Sequence, residues 1–136
     1  EFLSRFHLEY DLIAFAVMGG VFSEGIDLVG DSLIGAVIVG VGMPQICFDR
    51  DIIKEYFDHK TGEGFNYAYT FPGMNKVLQA VGRVIRTEED KGAILLIDDR
   101  YSKGLYRKLM PKEWNGYKEV KNKIDIIEFL SDFWNE

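Results

Sequence analysis

FPGMNKVLQAVGRVIRTEEDKGAILLIDDRY, residues 71–101, joins a helical pattern to a buried strand and decides the architecture. Pro72 stands where a helix can begin, because the first turn has no use for its missing N–H. Val77, Leu78, Val81, Val84 and Ile85 then recur at helical spacing and predict a core-facing stripe. Successive helix residues turn by about 100°, so Gln79, Arg83 and Arg86, at i, i+4 and i+7, are expected in one narrow strip on the opposite side. Ala93–Ile97 (AILLI) follows without polar alternation, as suits a strand buried on both faces of a parallel sheet. A helix that feeds a buried strand is the unit of an α/β protein.

The rest of the chain repeats that grammar. Leu12–Met18 (LIAFAVM) and Ile34–Val41 (IGAVIVGV) are two more continuous apolar runs and are expected to be strands. Phe2, Leu3, Phe6 and Tyr10 make a helical stripe before the first run. Ile52, Ile53, Tyr56 and Phe57 make another after Asp49, a suitable cap. Ile124, Ile127, Phe129, Leu130, Phe133 and Trp134 predict a final amphipathic helix that needs a partner surface. Residues 1–136 therefore read as a single domain with a parallel sheet flanked by helices. Three strands are few for a doubly wound sheet. With a chain that starts inside a helical pattern, this suggests a partial domain, a piece of a larger protein.

Composition narrows the function. A chain of 136 residues with 47% hydrophobic and 28% charged residues can bury a core. No apolar run is long enough for a membrane helix, and EFLSRFHLEY lacks a signal-peptide pattern, so a cytoplasmic location is expected. The single cysteine, Cys47, excludes an internal disulfide and a multi-cysteine metal site, and is expected to be a small buried side chain. His7 and His59 are too far apart in sequence to suggest a metal pair. The net charge of −6 argues against a free-standing nucleic-acid binder. Any contact with nucleic acid is expected to be local, or shared with another domain.

Two stretches remain that could hold a phosphate. Guanidinium groups match phosphate oxygens in pairs, which suits Arg83 and Arg86 to that ligand. The second stretch is Gly19–Leu33, GGVFSEGIDLVGDSL, a glycine-rich loop at the end of an expected strand, where α/β proteins place ligands. Gly20 and Gly25 have the spacing of a phosphate loop. Ile26 and Asp27, however, occupy the places of its Lys and Ser or Thr, and no other segment supplies that loop.

Taken together, GGVFSEGIDLVGDSLIGAVIVGVGMP and FPGMNKVLQAVGRVIRTEEDKGAILLIDDRY closely resemble the C-terminal motor domain of superfamily 2 helicases, within them the DinG/XPD branch. FSEGIDL resembles that family's motif V and QAVGRVIR its motif VI, with Asp98 and Arg100 in a trailing D-x-R; the likeness runs roughly from Ala14 to Arg107. It implies a RecA-like fold that meets a first, N-terminal motor domain across a cleft holding ATP and Mg²⁺. That first domain carries the phosphate loop and, in this branch, an iron–sulfur cluster. The resemblance implies that Arg83 and Arg86 are arginine fingers and that Gln79 contacts the γ-phosphate or the attacking water. It further implies Gly25 and Asp27 near the nucleotide, Ser23 and Glu24 toward single-stranded DNA, and movement 5′→3′ in repair or replication. GVGMP departs from the longer proline-rich loop of DinG-like members, which leaves DNA contacts there open.

Plainer readings stand beside these. The arginines could form a solvated face with Glu88 and Glu89. Asp98 and Arg100 suit a turn-closing salt bridge. Tyr67, Tyr69 and Phe71 could stack on bases but better suit packing at the approach to Pro72. The alternative to a motor is a helicase-like scaffold or DNA clamp, which would have no need of Gln79, Arg83 and Arg86.

Overall fold

Two parallel strands organise the computed structural model, which describes residues 11–20, 33–85, 87 and 89–135. Strand β1 is Gly35–Val39 and β2 is Ala93–Ile97, paired in register from Gly35 opposite Ala93 to Val39 opposite Ile97. Parallel neighbours need a long crossover. Here it contains helix α1 (Phe48–Thr61), a π-helical segment (Asn66–Thr70) and helix α2 (Phe71–Val81). After β2 come a 3₁₀ turn (Asp99–Ser102), the short helix α3 (Gly104–Leu109), a second 3₁₀ turn (Lys112–Gly116) and helix α4 (Lys123–Asn135). This is the expected α/β architecture with a parallel sheet.

The core lies between one face of the sheet and α2. Ile38 and Val41 meet Met74, Val77 and Val81, and Tyr101 and Tyr106 close the far side. Met74 and Val77 are essentially inaccessible to water. Pro72 lies in the first turn of α2, as its missing N–H predicts. The π-helical segment before it carries the buried Ala68, Tyr69 and Thr70 straight into the helix. The ring next to that junction cannot donate to a preceding carbonyl, and a wider turn accommodates the gap.

Helix α1 is bounded by its own chemistry. Asp49 and Asp51 lie in its first turn and His59 and Lys60 in its last, matching the helix dipole. The cap is Cys47, two residues earlier than expected. Its carbonyl accepts from the Arg50 and Asp51 amides, at 3.0 and 3.1 Å. Cys47 is exposed, contrary to the buried position expected of it, because a cap faces out of the turn that it begins. Phe57 stacks on Tyr67 at 3.8 Å between ring centres, and Tyr67 meets Phe71 edge to face. Tyr69 is buried, so these aromatic rings pack the approach to α2 as expected.

Two expectations need correction. Residues 12–17 are irregular and belong to no strand, and Ile13, Phe15 and Val17 are largely exposed. An apolar run records a preference for burial, but a strand also needs a paired edge, and this segment has none among the described residues. Strand β1 is covered on one side only: Ile38 faces the core, while Val37 and Val39 are exposed. The helical stripe of Phe2, Leu3, Phe6 and Tyr10 lies outside the described residues. The final amphipathic helix is present as α4. Asn122 caps it, accepting from the Ile124 and Asp125 amides at 2.8 and 3.0 Å.

Candidate functional site

Helix α2 runs back across the sheet, and its two ends define two edges of the domain. Its first turns touch the loop that leaves β1: a Cβ on Gly42 would stand 3.1 Å from Lys76 Cβ. Its last residues reach the start of β2, where Gly92 leaves room for Val84. A Cβ on Gly92 would fall 2.6 Å from Val84 Cγ1 and 3.3 Å from the Ile34 carbonyl oxygen. Arg83, next to Val84, stands at this amino edge of the sheet, and Gln79 lies four residues before it on the helix. Gln79 is exposed and Arg83 is half-buried.

The helix stops short of Arg83, and Arg86, the third member of the expected strip, lies outside the described residues. Helix α2 ends at Val81, with Gly82 as its cap. The Arg83 amide then donates to Ala80 at 3.2 Å and the Val84 amide to Val81 at 2.9 Å, a tighter turn that ends the regular ladder. Further on, the Thr87 amide donates to the Asp90 carboxylate at 2.8 Å, which closes a local turn in place of a helical one. Gln79 therefore leaves from the last helical turn and Arg83 from the bend beyond it. Arg86 lies outside the described residues, as do Ser23, Glu24, Gly25 and Asp27 of the glycine-rich loop.

At the opposite edge, the ends of β1 and β2 are locked to each other. The Gly40 amide donates to Ile97 at 2.9 Å, and the Tyr101 hydroxyl donates to the Gly40 carbonyl at 2.7 Å. Burial, with the nearby Asp98 carboxylate second, pushes the Tyr101 hydroxyl up to about 12, so it stays a donor at any physiological pH. Asp98 caps the 3₁₀ turn after β2. It accepts from the Arg100 backbone amide at 2.9 Å and from Nε and Nη2 of the Arg100 guanidinium, each at 2.7 Å. The side-chain bonds from Arg100 are the largest influence holding the Asp98 carboxyl down at about 2. This pair is the turn-closing salt bridge expected of Asp98 and Arg100, and it leaves neither group available as an acid or base.

Among the described residues no group of three or more His, Cys, Asp and Glu side chains could hold a metal ion. A groove of about 790 Å³ opens beside β2, lined by Ile94, Leu96, Met110, Trp114 and Ile126 among others. Its lining includes neither Gln79 nor Arg83, although Val81 and Ile85 on either side of the bend contribute to it. Sequence reasoning passed over two residues that this geometry brings forward. Tyr101 could have been suspected only from its place after the D-x-R. Lys76 stands three residues before Gln79 on α2, on the same side of the helix.

The family model for the helicase C-terminal domain matches residues 1–117, which include both glycine-rich loop and arginine bend. The chain belongs to the helicase C-terminal domain family. That family has a RecA-like fold, and the parallel strands with α2 between them are a part of it. The helicase C-terminal domain described here is 35% identical over 107 residues to the ATP-dependent DNA helicase chl-1 of Caenorhabditis elegans, covering 76% of this chain and 12% of the relative. It is 35% identical over 103 residues to the ATP-dependent DNA helicase DinG of Photobacterium profundum, covering 74% and 15%. With a probable ATP-dependent helicase of Methanocaldococcus jannaschii it shares 31% identity over 128 residues, 86% of the chain and 20% of the relative. The homologues are thus of the DinG/XPD type that motifs V and VI resemble, and the chain spans no more than a fifth of the length of these relatives. Helix α4 lies beyond the family match.

Proposed function

We propose that this domain is the second motor domain of an ATP-dependent DNA helicase, completing an ATP site held mainly by a first motor domain of the same protein. The observation that carries the reading is the end of α2. A helix anchored by the fully buried Met74 and Val77 presents Gln79 and then bends, so that Arg83 leaves from a fixed base at one edge of the domain. In phosphoryl transfer, charge spreads over the equatorial oxygens of the γ-phosphoryl group, and an arginine aimed there stabilises it by about 10³–10⁵ in rate. In this reading Arg83 and Arg86 are those arginines, and Gln79 orients the γ-phosphate or the attacking water. Gly25 and Asp27 approach the nucleotide, and Ser23 and Glu24 face single-stranded DNA. Mg²⁺ and the phosphate loop belong to the first domain, as would an iron–sulfur cluster, since Cys47 is the chain's single cysteine. ATP closes the cleft, hydrolysis opens it, and the protein steps 5′→3′ along one strand in repair or replication.

The test uses the intact protein with ATP, Mg²⁺ and partial duplexes carrying either a 5′ or a 3′ single-stranded tail. Hydrolysis stimulated by single-stranded DNA, with displacement from the 5′ tail, is the expected result. ATP turnover indifferent to DNA would overturn the reading in favour of a scaffold. Residues 1–136 alone are expected to show no detectable ATP turnover.

A further inference from the structure

The arginine bend follows the last residue of α2; the middle of the helix carries a cation that no described group neutralises. Lys76 is half-buried and makes no ion pair among the described residues. Its stem is held between the loop that leaves β1 and the turn at Gly19. A Cβ on Gly42 would lie 3.1 Å from Lys76 Cβ and 3.2 Å from Cδ, so only glycine lets the loop after β1 come so near. On the other side, a Cβ on Gly19 would lie 3.1 Å from Nζ and 3.3 Å from Cε. The ammonium is thereby delivered to the start of the Gly19–Leu33 loop, at the carboxyl edge of the sheet. A half-buried charge held in place with no counter-charge among the described residues is suited to a ligand that brings one.

The same edge carries the densest positive run of the chain. After β2 come two acidic residues, Asp98 and Asp99, and then, from Arg100 to Lys112, thirteen residues with five basic ones and no acidic one, within a chain of net charge −6. Arg100 is taken by Asp98, and Arg107 pairs with Glu119. Lys103 is exposed at the start of α3, near enough to Asp98 for its charge to favour that carboxylate's ionised form. Asp98 in turn lies by Gly40, in the same β1 exit loop that touches Lys76.

We propose that Lys76 and Lys103 contact successive phosphates of a DNA single strand that crosses the carboxyl edge of the sheet. This rests on the reading of the domain as a DNA motor and adds the residues that hold the strand. The nucleotide is the poorer occupant. Seven residues separate Lys76 from Arg83, about 10 Å along a helix, and α2 places them at opposite edges of the sheet. A polyanion that needs several cations in a row fits the basic run, and a single triphosphate does not.

The experiment measures binding of a fluorescein-labelled oligo(dT) to the intact protein from low to moderate salt, for wild type, Lys76→Met, Lys103→Met and Lys76→Arg. Methionine keeps the packed stem between Gly42 and Gly19 and removes the charge. For single strands, each lost phosphate contact lowers the slope of log affinity against log salt by about 0.7. The proposal expects that decrease in each methionine variant and a slope restored in Lys76→Arg. Wild-type slopes in both methionine variants overturn the proposal while leaving the motor reading intact. Weakened ADP binding in Lys76→Met with an unchanged DNA slope assigns the ammonium to the nucleotide and also overturns it. A wild-type protein that binds no oligo(dT) removes both this proposal and the DNA-motor reading.

Discussion

Asp98 holds Arg100 by two side-chain bonds and one backbone bond, and this small unit fixes the turn after β2. Its carboxyl lies near 2 in the folded state against an ordinary 3.8, so folding favours the ionised form. The stabilisation is therefore complete above about pH 4 and is lost as pH falls through about 2. Solvent reaches Arg100, so the full value implied by the shift is discounted to about 1–2 kcal/mol. Asp98→Asn should lower stability by that amount at pH 7 and flatten the acid limb of a denaturation series; an unchanged acid limb would contradict the assignment. Tyr101→Phe should cost about 1–2 kcal/mol in chemical denaturation, because it leaves the Gly40 carbonyl without its donor. The Asp98–Arg100 pair was legible in the sequence, since residues two apart can close a turn by themselves. The bond from Tyr101 to Gly40 was not, because it spans 61 residues and depends on how the strands align.

Helix α2 is the element on which the site depends. Its apolar stripe was legible from spacing alone, and Val77 and Val81 are buried where that stripe places them. The helix end was not legible. Val84 and Ile85 extend the apolar pattern past Val81, yet Gly82 and the Thr87–Asp90 turn offer the backbone other partners. Periodicity reports which side of a segment is apolar and is silent about where the hydrogen-bond ladder stops. Met74→Ala should cost about 2–5 kcal/mol, read as a shift in the denaturation midpoint, since Met74 is fully buried between α2 and the sheet. A loss under about 1 kcal/mol would mean that α2 is not anchored as described.

At the scale of the molecule, α2 covers one face of the sheet, while Val37 and Val39 of β1 stand exposed on the other. Phe15 is 95% exposed, and Val37, Val39, Ile13 and Val17 add to the apolar surface. Surface of this kind marks interaction or aggregation. The isolated 136-residue polypeptide should therefore self-associate with rising concentration in size-exclusion chromatography, and Val37→Thr with Val39→Thr should reduce this. A monomer at every concentration would contradict it. Apolar runs made β1 and β2 legible as strands, but the run at 12–18 has no paired edge among the described residues, and no local pattern carries that information. The same holds for Lys76, whose meaning depends on two loops that sequence does not show to be neighbours.

The most direct measurement of the central claim is DNA-stimulated ATP turnover by the intact protein carrying Arg83→Ala or Arg86→Ala, with nucleotide binding measured alongside. If these arginines complete the neighbouring ATP site, binding persists and turnover falls by about 10³-fold or more. Turnover equal to wild type in both variants would show that the bend beyond α2 is only a solvated surface.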